Sequence, residues 1–418
     1  MSSAPIFAQQ FDFPSALLAE IAVRVQLPPS RHAVAEKRYH TLSEWLDRPG
    51  SPLQGLVPRM YAQGSMAIGA TIASCRQNDE FDIDALAELS LSSNTPPRVV
   101  LDLLYEAVRG EPGSRYYSMT ERCTRCVQVR YGDDMHVDIT PTILRPEQPE
   151  REGFIFHANS EKPTGDDKRI VANPFGFAEW FKTRTPADAV FALDFAELSR
   201  EHDRILLRKA ADTEPVPEPV EAYKKSMALI SLQLIKRWRN IRYDARPGRM
   251  PPSVLLAKLV ADNANRTSSL YQELLHQAKQ LKVFFEVAQI AGRLVHVQNP
   301  VCPSDVFSDR WPEDLWAQRV FISDLHDLVT KLEKLANCNA LEAKQVCADL
   351  FGESPAVDAL NKVADRYGSA ISGGQAYHDR RTGSIQARAS GIIATASAPL
   401  SSARTTGHRF YGGRVEDI

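Results

Sequence analysis

Two short runs with acidic side chains on one strand face constrain this chain more than any other feature. One is Glu80-Phe81-Asp82-Ile83-Asp84 and the other is Met135-His136-Val137-Asp138-Ile139. Side chains alternate between the two faces of a strand, so positions i and i+2 share a face. Asp82 and Asp84 therefore point the same way, while Phe81 and Ile83 turn toward a core. Asp138 sits in a second alternating run. Cys126-Val127-Gln128-Val129-Arg130 passes through a short turn to His136-Val137-Asp138-Ile139, and a neighbouring strand can present Asp138 beside the pair. Nothing in folding requires three clustered carboxylates, so the cluster points to chemistry.

Upstream of the first run stands Gln63-Gly64-Ser65, after the apolar turn Val57 to Tyr61 and before an expected helix over Met66 to Ala73. A glycine lets the backbone approach a phosphate closely. The N–H groups at a helix start, with a serine hydroxyl, favour an anion. Gly-Ser, then Asp-x-Asp, then a lone Asp on a later strand is the arrangement of a template-independent nucleotidyltransferase. Transfer of a nucleotidyl group from a triphosphate is an in-line displacement, with two divalent ions clamping the attacking and leaving oxygens. Hard cations such as magnesium prefer oxygen ligands, which three convergent carboxylates supply.

The chain has 418 residues, long enough for about two or three domains. It carries 50 Lys+Arg against 52 Asp+Glu, a formal net charge of −2. That balance argues against a nucleic-acid coat or a polybasic membrane anchor, while a local basic cleft is compatible with it. No apolar run approaches the roughly 18 residues needed to span a bilayer. Met1 to Phe13 lacks a basic-then-apolar secretory pattern. A soluble cytoplasmic protein is expected. Of the six cysteines, Cys123-Thr124-Arg125-Cys126 has metal or redox spacing. No second close Cys/His pair completes a zinc site, and an i,i+3 pair within a regular strand faces opposite sides. These are read as reduced thiols.

Apolar spacing predicts helices over Ser15 to Val25, Arg31 to Leu46 and Pro97 to Val108, with Pro28-Pro29-Ser30 interrupting the first two. From Ala222 onward the pattern is helical. An amphipathic helix is expected over Tyr223 to Arg242, with others over Val254 to Val260, Ser269 to Ala291 and Trp316 to Ala336. The first of these carries Lys236, Arg237, Arg239 and Arg242. A solvated basic face is the ordinary reading of such a run, but a triphosphate needs a cation, which makes Lys236 a candidate phosphate ligand. Ser253, after Pro251-Pro252, is a helix N-cap or a second phosphate contact. Arg208 to Pro219 reads as a connecting loop. The composition therefore divides into residues 1–215, a catalytic lobe with N-terminal helices; 216–368, a helical lobe completing a nucleotide cleft; and 369–418, a flexible Ser/Ala/Gly/Thr/Arg-rich tail.

At this level the chain resembles the bacterial cGAS/DncV-like nucleotidyltransferases (CD-NTases), signal-making enzymes of anti-phage CBASS systems. The resemblance covers roughly residues 5–365. It rests on Tyr61-Ala62-Gln63-Gly64-Ser65, Phe81-Asp82-Ile83-Asp84, His136-Val137-Asp138-Ile139-Thr140-Pro141, Asn173-Pro174-Phe175-Gly176-Phe177-Ala178-Glu179-Trp180-Phe181, Leu234-Ile235-Lys236-Arg237-Trp238-Arg239, and Asn299-Pro300 followed by Asp309-Arg310-Trp311. The resemblance implies an α+β, two-lobed polymerase-beta-like fold, a mixed-sheet catalytic lobe beside a helical lobe. It implies that Asp82, Asp84 and Asp138 bind two Mg2+ ions, with Mn2+ as the alternative. It implies that Gln63, Gly64 and Ser65 hold the donor nucleotide, that Lys236 and Ser253 reach its phosphates, and that Thr140 lines the acceptor pocket. The product would be a cyclic di- or trinucleotide made from nucleoside triphosphates, purines first and ATP among them. The competing readings are transfer of a nucleotide to RNA, protein or a small molecule, and a catalytically idle regulatory scaffold. No counterpart of the zinc-binding insertion of the animal enzymes is present, which weighs against direct DNA sensing. Gly412-Gly413 in the tail is similar to a substrate of an E1/E2-like conjugating machinery, whereas other members of the family take a HORMA-type activator.

Overall fold

A computed structural model describes residues 10–73, 81–210, 225–265 and 267–372, and four short strands at 376–379, 385–387, 394–395 and 402–404. Strand β1 (Gln10–Phe11) pairs with 394–395. Helix α1 (Phe13–Val25) follows, with Asp12 as its cap accepting from the Ser15 N–H, and α2 runs over Pro29–Leu46. The prolines at 28 and 29 separate the two, because proline is accepted at a helix start and not within it.

The central sheet is built from β2 (Arg59–Ala62), β3 (Phe81–Glu88), β4 (Thr120–Arg122), β5 (Val127–Arg130), β6 (Met135–Leu144), β7 (Gly153–His157) and β8 (Lys168–Ala172). Its order is β2-β3-β6-β5-β4, with β7 continuing from the far end of β6 and β8 beyond it. Only β3 and β6 run parallel, and their register sets Asp82 beside His136 and Asp84 beside Asp138. Helix α3 (Gly64–Ala67) caps the end of β2, and α4 (Pro97–Arg109) covers one face of the sheet. Ile83, Ala85, Val127, Val129, Val137 and Ile139 lie under α2 and α4 in one apolar core. The opposite positions of the same strands carry the acidic residues, as a period of two requires.

Helices α5 (Pro174–Arg184) and α6 (Ala189–Ala210) lead into the second lobe. It contains α7 (Met227–Tyr243), α8 (Ser253–Asp262) and α9 (Leu270–Ile290), the small ribbon β9 (Gln298–Asn299) and β10 (Cys302–Val306), then α10 (Leu315–Leu335), α11 (Ala340–Phe351) and α12 (Glu353–Ser372). Side-chain caps start most of these helices: Asn173, Ser226, Ser269, Asp314 and Asn339 each accept an N–H of the first turn. Among the described residues no helix is long and apolar enough to cross a membrane.

Four expectations are corrected. The helix expected over Met66 to Ala73 is a single turn, because the chain leaves α3 at Gly69 with φ +72° and Ile72 bridges to Gln26. Helix α7 is not amphipathic in its setting. Residues 228–239 are all buried, Lys236, Arg237 and Arg239 included, so the basic run is no solvated face. The apolar cores do not divide at residue 215. The side chains of α1, α5 and α6 join α7 to α12 in one core, because α1 is apolar on nearly every side and packs against α12. Finally, residues after 369 are not uniform: α12 continues to Ser372, and 376–379 pairs with both 385–387 and 402–404. Ladder hydrogen bonds need no amphipathic pattern, which hid these strands. Gly412-Gly413 lies outside the described residues.

The cysteine pair is corrected as well. Cys123 and Cys126 do not lie within one strand. They flank the two-residue tip of the β4–β5 hairpin, which sets them opposite each other on the same face.

Candidate active site

A cleft of about 570 Å3 opens between the sheet and the helical lobe. Gln63, Gly64, Ser65, Asp82, Asp84, Asp138, Lys236 and Ser253 all line it. These eight residues, expected from the sequence to bind metal or the donor nucleotide, are thus gathered in one place, although they come from five separate segments.

The sheet side positions the carboxylates. Asp84 and Asp138 are neighbours on parallel strands, with Asp82 one step along the same face. Gln128, directly across from Asp138 on β5, donates from Nε2 to Asp138 Oδ1 at 2.8 Å. Gln63 ties the turn to the sheet. Its N–H donates to the Asp84 carbonyl at 3.0 Å and its Nε2 donates to Thr140 Oγ1 at 2.9 Å. Thr140 is therefore held by Gln63 and is not among the residues lining the cleft. Gly64 adopts φ +56°, and a Cβ there would lie 2.6 Å from Asp84 Oδ2. Only glycine fits a left-handed backbone pressed against a carboxylate.

The helical side supplies the cation. Lys236 Nζ donates to the Ala70 carbonyl at 2.8 Å, just past the Gly-Ser turn. Lys225, just before α7, and Gln233 on it carry a polar chain across the lobe boundary. Gln233 Nε2 donates to the Thr71 carbonyl at 3.0 Å, and Lys225 Nζ donates to Gln233 Oε1 at 3.2 Å and to Gln26 Oε1 at 2.6 Å. Thr71 in turn meets the Ser65 hydroxyl, Oγ1 to Oγ at 3.3 Å. Arg239 donates to the Pro251 carbonyl at 2.7 Å and to Ser253 Oγ at 3.0 Å. Ser253 is the first residue of α8 and Pro252 occupies the cap position, so the N-cap role expected of Ser253 does not hold.

Crowding of like charge shows in the proton affinities. Burial, followed by the charges of Asp138 and Asp82, pushes the Asp84 carboxyl up to about 7, with Lys236 opposing. Burial also raises Asp138, and the hydrogen bond from Gln128 pulls the other way. Lys236 is pushed down to about 7 by burial and then by Arg239, with Asp84 and Asp82 opposing. Three crowded carboxylates whose charges raise one another's proton affinity are residues that could hold a cation. Among the described residues no three acidic, His or Cys side chains already close around a common point. Magnesium tolerates this, because it keeps waters and takes one or two carboxylates together with substrate phosphates.

Sequence reasoning missed several residues of the cleft: Arg125, Asn240, Met250, Asp305 and Phe307. Asp305 is held by Asn299 Nδ2 at 3.0 Å, and Asn299 also donates to the Asn173 carbonyl at 3.2 Å. Gln128 was also missed, although its place two residues after Cys126 in an alternating run put it on the acidic face.

Comparison with known proteins now adds to this geometry. Residues 15–183 match the family model described as the Second Messenger Oligonucleotide or Dinucleotide Synthetase domain. The cyclic dinucleotide synthase CdnG of Bradyrhizobium diazoefficiens is 35% identical over 398 residues, covering 94% of this chain and 93% of that protein. The chain belongs to the CD-NTases. A c-di-GMP synthase of Roseivirga ehrenbergii is 26% identical over 83% of this chain and 86% of its own length. Among solved structures, the Bradyrhizobium diazoefficiens CD-NTase CdnG in complex with GTP aligns with a TM-score of 0.73 at 36% identity, over 84% of this chain and 98% of that one. The CdnC:HORMA-deltaN complex of E. coli MS115-1 aligns at 0.54 and 18% identity, over 82% and 97%, a likeness of fold. The chain is a nucleotidyltransferase with the polymerase-beta-like fold of this family.

Proposed function

We propose that this nucleotidyltransferase makes a cyclic dinucleotide second messenger from nucleoside triphosphates, releasing pyrophosphate, in anti-phage defence. The observation that carries the reading is the meeting of Asp82, Asp84 and Asp138 with Gly64, Ser65, Lys236 and Ser253 in one cleft. The relatives that are named cyclic dinucleotide synthase and c-di-GMP synthase support the cyclic product. The bound GTP of the CdnG structure supports GTP as the first substrate to try, ahead of the ATP expected from the sequence.

Each chain residue has a distinct task in this reading. Asp82, Asp84 and Asp138 hold two Mg2+ ions, an oxygen-donor set that hard cations prefer. Bound there, the ions supply a lowered acceptor-hydroxyl pKa and neutralise charge on the leaving pyrophosphate. Ser65 and the backbone at Gly64 receive the donor phosphates, and Gly64 lets them approach. Lys236 adds positive charge from the other lobe. An ammonium has three N–H donors, so the bond to Ala70 does not exhaust it. Gln128 orients Asp138, and Gln63 fixes the turn against β3. Catalysis is then positioning and electrostatics within a walled cleft.

The test is direct. The protein is incubated with GTP, ATP and their mixture in the presence of Mg2+, and products are separated and weighed by mass spectrometry. A cyclic product, lost in Asp84→Ala, is expected. Linear products alone, or transfer seen only after RNA or another acceptor is added, would overturn the reading. Conjugation through Gly412-Gly413 is a further part of the family reading, tested by the intact mass of the protein taken from its native host.

A further inference from the structure

Cys123 and Cys126 stand directly opposite each other at the tip of the β4–β5 hairpin. They continue the register of Arg122 with Val127, and the Cys123 N–H donates to the Cys126 carbonyl at 3.0 Å. Bonded antiparallel neighbours lie about 5.5 Å apart at Cα, inside the roughly 4.4–6.8 Å that a disulfide spans. Their side chains share a face. Both thiols are free and half-buried, so a small oxidant reaches them, unlike the buried Cys302 and Cys347.

The face they share is the acidic one. Val127 and Val129 are buried in the core beneath the sheet, so Cys126 and Gln128 project on the other side. Gln128 is the residue that holds Asp138. Between the cysteines, Arg125 lines the cleft. The hairpin tip therefore carries two oxidisable thiols and, on either side of Cys126, two residues that shape the site.

We propose that Cys123 and Cys126 are a reversible thiol-oxidation site, and that closing their disulfide shifts Arg125 and Gln128 and slows nucleotidyl transfer. With hydrogen peroxide as the oxidant, one thiolate attacks an oxygen and the O–O bond breaks. The products are a sulfenic acid and hydroxide, which takes up that thiol's proton and leaves as water. The second thiol then attacks the sulfenic sulfur, the S–O bond breaks, and a second water leaves with its proton. The two sulfurs lose two electrons and the peroxide gains them. A thiol reductant returns both groups. The effect on rate rests on the nucleotidyl-transfer reading above, whereas formation of the disulfide does not.

The experiment uses the full chain. Reduced and peroxide-treated protein is alkylated and digested, and the peptide bearing both cysteines is weighed. The same samples are assayed with GTP and Mg2+, before and after dithiothreitol, beside Cys123→Ser. The expected result is a peptide that escapes alkylation and lacks two hydrogens. The rate should fall about tenfold or more, given that a 1 Å misplacement costs on the order of 100-fold. Dithiothreitol should restore it, and Cys123→Ser should stay active through peroxide. Alkylation of both thiols after treatment overturns the site. So does a disulfide that leaves the rate unchanged, or a Cys123→Ser variant that peroxide inhibits as it does the natural protein. A reduced protein inactive on every triphosphate would refute the function while the peptide map still decided the disulfide.

Discussion

Asp84 costs the fold stability at neutral pH. Its carboxyl is raised from an ordinary 3.8 to about 7, mainly by burial and by Asp138 and Asp82. A folded-state pKa above the unfolded one means that the native state binds more protons between those values, so stability falls as pH rises from about 4 to 7. Asp84→Asn should flatten that fall, seen in thermal melts across this range without Mg2+, and should abolish nucleotidyl transfer. Lys225 gives the opposite slope. It is buried, accepts no counter-charge from Gln26 or Gln233, and is pushed from 10.5 down to about 7 by burial and then by Lys236. The unfolded chain then binds the extra proton, so stability rises from pH 7 to about 10. Chemical denaturation should show that rise to be smaller in Lys225→Met. Gly64→Ala tests the tightest contact of the site. A left-handed φ costs a non-glycine residue about 1–3 kcal/mol, and the new Cβ also collides with Asp84, so melting temperature and activity should both drop.

At the scale of elements, the strands of the site were readable and the helix ends less so. Period-two alternation in Phe81–Asp84 and Val127–Ile139 marked the acidic face correctly, because burial on the other face leaves one register. Helix α5 shows how a cap reaches beyond its own element. Asn173 Oδ1 accepts the Gly176 N–H at 2.7 Å, its Nδ2 donates to the Glu150 carbonyl, and its carbonyl receives Asn299. Asn173→Ala should cost about 1–2 kcal/mol, near the upper range for a lost cap, measurable by urea denaturation. Because Asn299 also holds Asp305 at the cleft, Asn299→Ala should raise the KM for triphosphate. The single turn of α3 was hidden because it ends where Ile72 bridges to the distant Gln26, and the facing cysteines were hidden because Thr124-Arg125 carries no glycine or asparagine to mark a two-residue hairpin turn.

Across the whole molecule, α7 joins the two halves of the site. Gln233 reaches the Thr71 carbonyl and Lys236 the Ala70 carbonyl, so the segment after the Gly-Ser turn of one lobe is held by the central helix of the other. Gln233→Leu leaves that carbonyl and Lys225 with one partner fewer. The Thr71 carbonyl keeps the Leu27 N–H and Lys225 keeps Gln26, so each lost hydrogen bond costs about 0.5–1.5 kcal/mol, and triphosphate binding followed by calorimetry should weaken along with stability. By itself the sequence carried the class of enzyme, a nucleotidyltransferase, through three carboxylates at strand spacing, a Gly-Ser turn and a lysine. It also set which face of β3 and β6 carries the carboxylates, because a slip of one residue would bury them and expose Ile83 and Val137. The tertiary structure alone decided that Lys236 is buried at the cleft instead of solvated. It also decided that α1 belongs to the helical core. Those outcomes depend on which surfaces meet across long stretches of chain, and burial is a property of the neighbours that a residue acquires there.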